Sequence, residues 1–229
     1  MGFLCRMAPR RPRAPTFDGS AVALGDVRRW SDEACKRGCD IIGSVGLLLM
    51  AAPVMLAVAA TIKGTSPGPV LFKQQRLGRG GVRFCCYKFR TMVVDAEDQL
   101  RASESLRARF QANYKIAGDP RITPLGRVLR RMSLDELPQL WNVLRGEMSL
   151  IGPRPIVPPE LSKYGEHADR LLRVKPGLGG LWQVRGRSGT TYVDRVMLDL
   201  LYAETRTLWL DLRLIVLTAV VVLRTRGAC

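Results

Sequence analysis

Hydrophobic and polar positions are distributed unevenly along the chain. From Ile41 to Ile62 the run IIGSVGLLLMAAPVMLAVAATI has 22 residues without a charge, long enough for a membrane-spanning helix. Pro53 sits near its middle and is expected to kink it, leaving two halves of about a dozen residues each. Basic residues flank the run on both sides, among them Arg28, Arg29, Lys36 and Arg37 before it, and Lys63, Lys73, Arg76, Arg79, Arg83, Lys88 and Arg90 after it. Positive charge marks cytoplasmic flanks. A segment that enters, bends at Pro53 and leaves on the same side satisfies both flanks, so the pattern favours a re-entrant helix over a straight span.

After the apolar run, SPGPVLFKQQRLGRGGVRFCCYKFRTM alternates turn residues with short apolar stretches and predicts a small hairpin or sheet, with LGRGGVR as the turn. Asp95 to Lys115 reads as a polar surface helix. PLGRVLRRM, Pro124 to Met132, spaces Leu125, Val128, Leu129 and Met132 at helical intervals with arginines between. That pattern suits either an interfacial amphipathic helix or a core-facing helix with a solvated basic face. Near the C-terminus, LWLDLRLIVLTAVVVL is interrupted by Asp211 and Arg213, and is expected in the core or at the interface. The fold class that follows is α+β and predominantly helical: a Pro-broken re-entrant helix, interfacial amphipathic helices and a small β-hairpin or sheet. The expected organisation is a disordered basic leader over 1–34, the re-entrant segment over 35–63 and a membrane-associated catalytic domain over 64–229.

Composition narrows the partners. A formal charge of +16 and a pI near 10.4 attract polyanions, whether nucleic acid, anionic lipid or phosphorylated small molecules. Aromatic residues make up only 7% and no aromatic-plus-basic recognition motif is present, which argues against nucleic acid. The six cysteines form no CxxC pair and His167 is the sole histidine, so a zinc site of ordinary spacing is not expected. The cysteine spacing suggests thiols without partners in a reducing compartment.

The stretch RRMSLDELPQLWNVLRGEMSLIGPRP, Arg130 to Pro155, concentrates the chemistry. Asp135 and Glu136 are adjacent carboxylates at an expected helix start. Ser133 to Glu136 fits a capping box, which would explain them without chemistry. Pro138 opposes that, since a helix capped at Ser133 would carry proline beyond its first turn, whereas capping by Asp135 places it harmlessly. A carboxylate at a helix N-terminus is expected to stay ionised, to be able to coordinate Mg2+, or to attack phosphorus. Local spacing alone leaves the cap and the catalyst both open. Arg154, between Pro153 and Pro155, is the first candidate for a phosphate contact; Arg76, Lys88 and Arg90 follow, their plain alternative being membrane-surface charge.

The blocks KRGCD (36–40), PVLFKQQRLG (69–78), YKFRTM (87–92), DPRITPLGRVLRRMSLDELPQLWNVLRGEMSLIGPRP (119–155) and KPGLGGLWQVRGRS (175–188) resemble, in order, those of the bacterial sugar transferase family, the monotopic phosphoglycosyl transferases. The resemblance implies transfer of a hexose-1-phosphate from a UDP-sugar to undecaprenyl phosphate through a phosphosugar-aspartate, with release of UMP. It makes Asp135 the nucleophile and Glu136 its partner, both as ligands of Mg2+, and places Gln183 and Arg187 near nucleotide or sugar. Lys36, Arg37 and Asp40 correspond to the anchor before the membrane segment, and Pro53 to its break, although Ala52 stands where the family often has serine. The implied location is the cytoplasmic face of the bacterial inner membrane. The implied partners are UDP-sugar, undecaprenyl phosphate and membrane, with room for a homo-oligomer and downstream glycosyltransferases. Glucose and galactose are the favoured sugars. The alternatives are an inactive scaffold for polysaccharide assembly and a basic protein that binds anionic lipid or nucleic acid.

Overall fold

A computed structural model describes residues 24–113, 116, 118–185 and 191–223. Residues 1–23 of the expected leader, and the candidate Arg187, lie outside the described residues. Helix predominates. It begins with α1, Leu24–Thr65, so the helix starts ahead of the expected boundary at 35. α1 is continuous through Pro53. Proline removes one donor, leaving the Leu49 carbonyl without its i+4 partner, but the apolar turns on both sides propagate the helix across that gap. The expected break is therefore not seen as an interruption of the helix. The segment Glu33–Thr65 is long and apolar enough to cross a membrane by length and composition, and only 11% of its most apolar window is buried against the protein.

One side of α1 meets the body near its start, at Leu48 and near its end. Near its start, Arg37 donates to the carbonyls of Val143 and Leu144 at 2.6 and 2.7 Å, Lys36 to the carbonyl of Ile151 at 3.1 Å and to Asp211 Oδ2 at 2.5 Å, and Asp40 Oδ1 accepts from Ser149 Oγ and Leu150 N–H, both at 2.9 Å. Near its end, Val58 and Ile62 pack with Phe89 and Leu129. The polar residues expected as a membrane anchor thus fasten α1 to the protein.

The hairpin is as the alternation predicts. β1, Leu71–Leu77, pairs antiparallel with β2, Arg83–Phe89, from Leu71 opposite Phe89 to Leu77 opposite Arg83. Gly80 and Gly81 turn it at φ of 69° and 72°, values that glycine adopts without strain. The expected single helix from Asp95 divides into α2, Ala96–Ala102, and α3, Glu104–Asn113, with extended backbone at Ser103 between them. α4, Pro124–Arg131, starts where Thr123 Oγ1 accepts from the Gly126 N–H, with proline in the first turn. Its apolar face divides: Leu129 is buried under α1, while Val128 and Met132 stay exposed beside the arginines. Both sequence readings of this helix are partly met.

A 3₁₀ turn over Leu134–Glu136 leads into α5, Gln139–Arg145, and then β3, Ser149–Ile151. A further 3₁₀ stretch, Pro158–His167, and α6, Ala168–Leu172, precede β4, Gly177–Gly179, which pairs parallel with β3. Glycine at Gly152 and Gly177 is a packing requirement, since a Cβ on Gly177 would lie 2.0 Å from the Gly152 nitrogen. α7 (Leu181–Arg185), α8 (Tyr192–Thr205) and α9 (Leu208–Leu223) complete the described chain. α9 buries Leu214 and the Asp211 carboxylate and exposes Trp209, Leu212 and Val216, so it lies half in the core. Cys35, Cys39 and Cys86 are free thiols; Cys85 is disulfide-bonded, against the expectation of unpaired thiols throughout.

Candidate active site

The carboxylate pair is not a helix cap. Ser133 takes the left-handed conformation at φ 57° and its side chain caps nothing; α5 begins only after Pro138. Asp135 and Glu136 instead sit in the 3₁₀ turn, where successive side chains point to different sides. Glu136 meets Lys88 of β2 at 2.5 Å. Asp135 is 7% exposed, with the charges of Glu136, Lys88 and Arg130 around it.

What brings Lys88 opposite the turn is Asn142 on α5. Its Oδ1 accepts from the Tyr87 N–H at 3.1 Å and its Nδ2 donates to the Cys85 carbonyl and to Glu147 Oε2, each at 2.7 Å. The side chain imitates a neighbouring strand, satisfying the free edge of β2 and fixing the register between β2 and α5. Nothing in the local sequence marks Asn142 for this role, because it depends on a strand more than fifty residues away.

A small cleft opens beside the pair, lined by Arg76, Lys88, Glu136, Gln139, Arg154, Pro155, Gly177, Leu178 and Gln183. Of the residues expected from sequence, Arg76, Lys88, Glu136, Arg154 and Gln183 meet here, while Asp135 lies outside the lining. Arg90 does not join them: its guanidinium is committed to the Pro67 and Ser66 carbonyls and to Ser66 Oγ, closing the turn after α1. Gln139, which sequence reasoning missed, is 2% exposed and leaves its Nε2 donor without a partner. Arg76 Nη1 donates to the Pro155 carbonyl at 2.7 Å, but its Nε is also unpartnered, as are Gln183 Oε1 and Trp182 Nε1. Each such buried group costs roughly 1–3 kcal/mol unless something polar reaches it. Clustered around three cations, they fit a polar, anionic occupant.

The arginine loop is rigid for a visible reason. Pro153 and Pro155 are buried, the Pro153 carbonyl accepts from the Gly177 N–H at 2.7 Å, and the Leu77 N–H donates to the Ile156 carbonyl at 2.9 Å. The Arg154 guanidinium lies over the Trp182 ring at 5.5 Å.

The electrostatics separate the two carboxylates. Burial, then the Glu136 charge, pushes the Asp135 carboxyl above its usual range. For Glu136, burial acts upward, but Lys88, then Arg154, hold the carboxyl down to about 2. Burial and the neighbouring Arg154 lower the Arg76 guanidinium to about 10. Glu136 is therefore held charged beside Lys88, whereas burial and the Glu136 charge favour the protonated form of Asp135 more than in an ordinary carboxylate. Among the described residues no group of three or more His, Cys, Asp or Glu converges on a metal position. Mg2+ commonly takes one or two carboxylates from protein together with phosphate oxygens, a donor set that Asp135 and Glu136 match in number and type.

The chain is similar to known proteins along most of its length. The family model described as bacterial sugar transferase matches residues 31–225. An undecaprenyl-phosphate galactose phosphotransferase of Salmonella typhimurium is 45% identical over 202 residues, covering 86% of this chain and 42% of that protein. A UDP-glucose:undecaprenyl-phosphate glucose-1-phosphate transferase of Caulobacter vibrioides is 41% identical over 213 residues, 89% of this chain and 75% of that protein. The exopolysaccharide production protein ExoY of Rhizobium meliloti is 40% identical over 197 residues, 84% of this chain and 87% of that protein. The chain spans less than half the length of the Salmonella relative.

Proposed function

This chain belongs to the bacterial sugar transferase family, and from that premise we propose that it transfers a hexose-1-phosphate from a UDP-sugar to undecaprenyl phosphate. The observation that carries the reading is the cleft itself: Lys88, Arg76 and Arg154 converge on it beside the Asp135–Glu136 turn, with the Gln139 and Arg76 donors unpaired. Three cations and unpaired donors suit a diphosphate, whose transfer depends on positioning and charge neutralisation.

In the proposed sequence the Asp135 carboxylate oxygen attacks the β-phosphorus, the bond from that phosphorus to the bridging oxygen breaks, and UMP leaves with the electron pair. The lipid phosphate then attacks the same phosphorus and the acyl phosphate bond breaks, restoring the carboxylate. Attack requires the Asp135 side chain to swing into the cleft from its buried position. Glu136, held by Lys88, orients the turn. Arg154 and Arg76 neutralise phosphate oxygens, and Gln183 lies where nucleotide or sugar would contact it. Mg2+, when bound, would be held by Asp135 and Glu136 and adds charge neutralisation at the phosphate. Because the acceptor is already an anion, no strong general base is needed.

We place the protein at the cytoplasmic face of the inner membrane, with α1 bending at Pro53, within a helix that stays continuous, so that it dips in and returns. The positive flanks support this, as does the contact of both the Lys36–Asp40 and Val58–Ile62 ends with one body. A helix crossing outright would carry one end away from that body. The names of the relatives put glucose and galactose first among sugars. The test is UMP release by the full chain in membranes containing undecaprenyl phosphate, across a panel of UDP-sugars. Release from one hexose donor, dependent on the lipid for turnover, is expected; no UMP from any donor would overturn the reading.

A further inference from the structure

The buried acids nearest the cleft are answered by the fold itself. Glu160 and Asp199 are 2% and 1% exposed, and Glu160 Oε1 accepts from Arg195 Nη2 at 2.9 Å and from Tyr192 OH at 3.0 Å, while Asp199 Oδ2 accepts from Tyr164 OH at 2.9 Å. Gln139 is treated differently. Its side chain is as deeply buried, at 2% exposure, and it lines the cleft, but among the described residues nothing accepts from its Nε2. Arg76 and Gln183, which share the lining, also carry an unpartnered atom, yet each uses another on the protein: Arg76 Nη1 on the Pro155 carbonyl at 2.7 Å and Gln183 Nε2 on the Leu178 carbonyl at 3.4 Å. A buried amide donor left without an acceptor destabilises the fold, and a fold that keeps one at the wall of a cleft needs a reason.

The backbone that presents this donor is fixed. Gln139 opens α5 directly after Pro138, the next turn buries Leu140 and Val143 at 1% and 0% exposure, and Arg37 holds the far end through the Val143 and Leu144 carbonyls. A donor so placed has little freedom to lose when a ligand arrives. Its unmet need is for an acceptor, and the acceptor has to suit Arg76, Lys88 and Arg154 as well, which an anionic oxygen does. An amide supplies a directed N–H without adding a fourth positive charge to a cluster in which burial and Arg154 already lower the Arg76 guanidinium to about 10. We propose that Gln139 is a substrate-binding residue whose Nε2 donates to a diphosphate oxygen of the nucleotide sugar. The inference rests on the cleft being the UDP-sugar site, and gives Gln139 the task of orienting the diphosphate that the three cations hold.

Two substitutions separate this role from one in the fold. Gln139→Met keeps the side-chain length and removes the donor; Gln139→Glu keeps the shape and one oxygen and puts an acceptor where the donor was. UMP release by the full chain in nanodiscs containing undecaprenyl phosphate gives kcat/KM for the UDP-sugar that the wild type uses. Inorganic pyrophosphate in excess Mg2+ is the competing probe, since it carries the diphosphate without nucleoside or sugar, and thermal unfolding without ligand reports on the fold. From the usual strength of a hydrogen bond to a charged group, kcat/KM is expected to fall about 10- to 100-fold in Gln139→Met, with the pyrophosphate inhibition constant raised about tenfold. Gln139→Glu should lose more, because its carboxylate faces the phosphate oxygens. The midpoint of Gln139→Met should rise or stay within about 3 °C of the wild type, because the substitution removes a stranded donor. Any of three results would overturn the proposal: kcat/KM within about threefold of wild type in both variants, pyrophosphate that inhibits wild type and Gln139→Met equally or not at all, or a loss of activity in Gln139→Met that comes with a larger fall in midpoint. A wild type that turns over no UDP-sugar brings down the proposed function and this inference with it; an active wild type with indifferent variants brings down this inference alone.

Discussion

Replacing Asn142 by leucine tests how the site is built without presupposing its chemistry. The two side chains have the same number of heavy atoms and the same branching, so no cavity is created, but Asn142 is 0% exposed and makes three hydrogen bonds of 2.7 to 3.1 Å. The substitution leaves the Tyr87 N–H and Cys85 carbonyl facing an apolar group and removes a donor from the Glu147 carboxylate. At roughly 1–3 kcal/mol for each stranded backbone group, and allowing partial hydration, the cost is about 3–5 kcal/mol. For a chain of this size that lowers the melting midpoint by roughly 10 °C. Two measurements check it in detergent or nanodiscs: thermal unfolding, and amide hydrogen exchange of Tyr87. The Tyr87 amide is expected to lose protection selectively, because its only assigned acceptor is the asparagine. A midpoint within about 2 °C of wild type together with a protected Tyr87 amide would refute the claim that Asn142 holds β2 against α5.

Other consequences follow from the same contacts. Lys88→Gln frees Glu136, whose carboxyl should rise from about 2 toward its ordinary range; UMP release should fall by about 100-fold. Stability should fall by only about 1–2 kcal/mol, since the two side chains remain 20% and 28% exposed, and near-normal turnover would contradict the assigned partnership. The pH dependence of stability has opposite contributions with different windows. Asp199, raised to about 6, and Asp135, also raised, bind protons in the native state before the unfolded one, so they add stability as pH falls from about 6 toward the ordinary carboxylate range. For Asp199 alone that amounts to about 2–3 kcal/mol. Glu136, Glu33 and Asp119, all lowered, lose their contribution as pH falls through and below that range. Thermal midpoints should therefore peak at mildly acidic pH, and Asp199→Asn should weaken the rise from neutral pH to that peak; a midpoint that only falls from pH 7 downward would contradict this assignment.

What could be read from sequence was what depends on neighbours in the chain. The 41–62 run, the glycine-turned hairpin and the arginine-laced 124–132 helix all emerge where period and turn chemistry placed them. The pair Asp135–Glu136 was legible as a feature, but its setting was not: the serine three residues before Glu136 imitated a capping box, while the real backbone turns left-handed there and winds a 3₁₀ turn. Arg154 and Lys88 both line the cleft, Arg154 from a loop close to the pair in sequence and Lys88 from a strand 48 residues away from Glu136. Arg90, one residue beyond β2, does not join them because its guanidinium is taken up by the Pro67 and Ser66 carbonyls and Ser66 Oγ in the turn after α1. Gln139, Asn142, Glu160 and Asp199 were invisible because each acquires its role from a partner far away in sequence, and a single glutamine or buried acid carries no signature of that partner. The residues Lys36, Arg37 and Asp40 were recognised as an anchor, but what they anchor to could only be seen once Ser149, Leu150 and the end of α5 were in place.

The central claim is that Asp135 carries the transferred group. Incubating the full chain with a UDP-sugar labelled in its β-phosphate, in the absence of lipid acceptor, and mapping the label by peptide mass spectrometry tests it most directly. The account predicts a hexose phosphate on the peptide containing Asp135, discharged on addition of undecaprenyl phosphate and absent from Asp135→Asn. Turnover at the wild-type rate by Asp135→Asn, or label on any other residue, would contradict it.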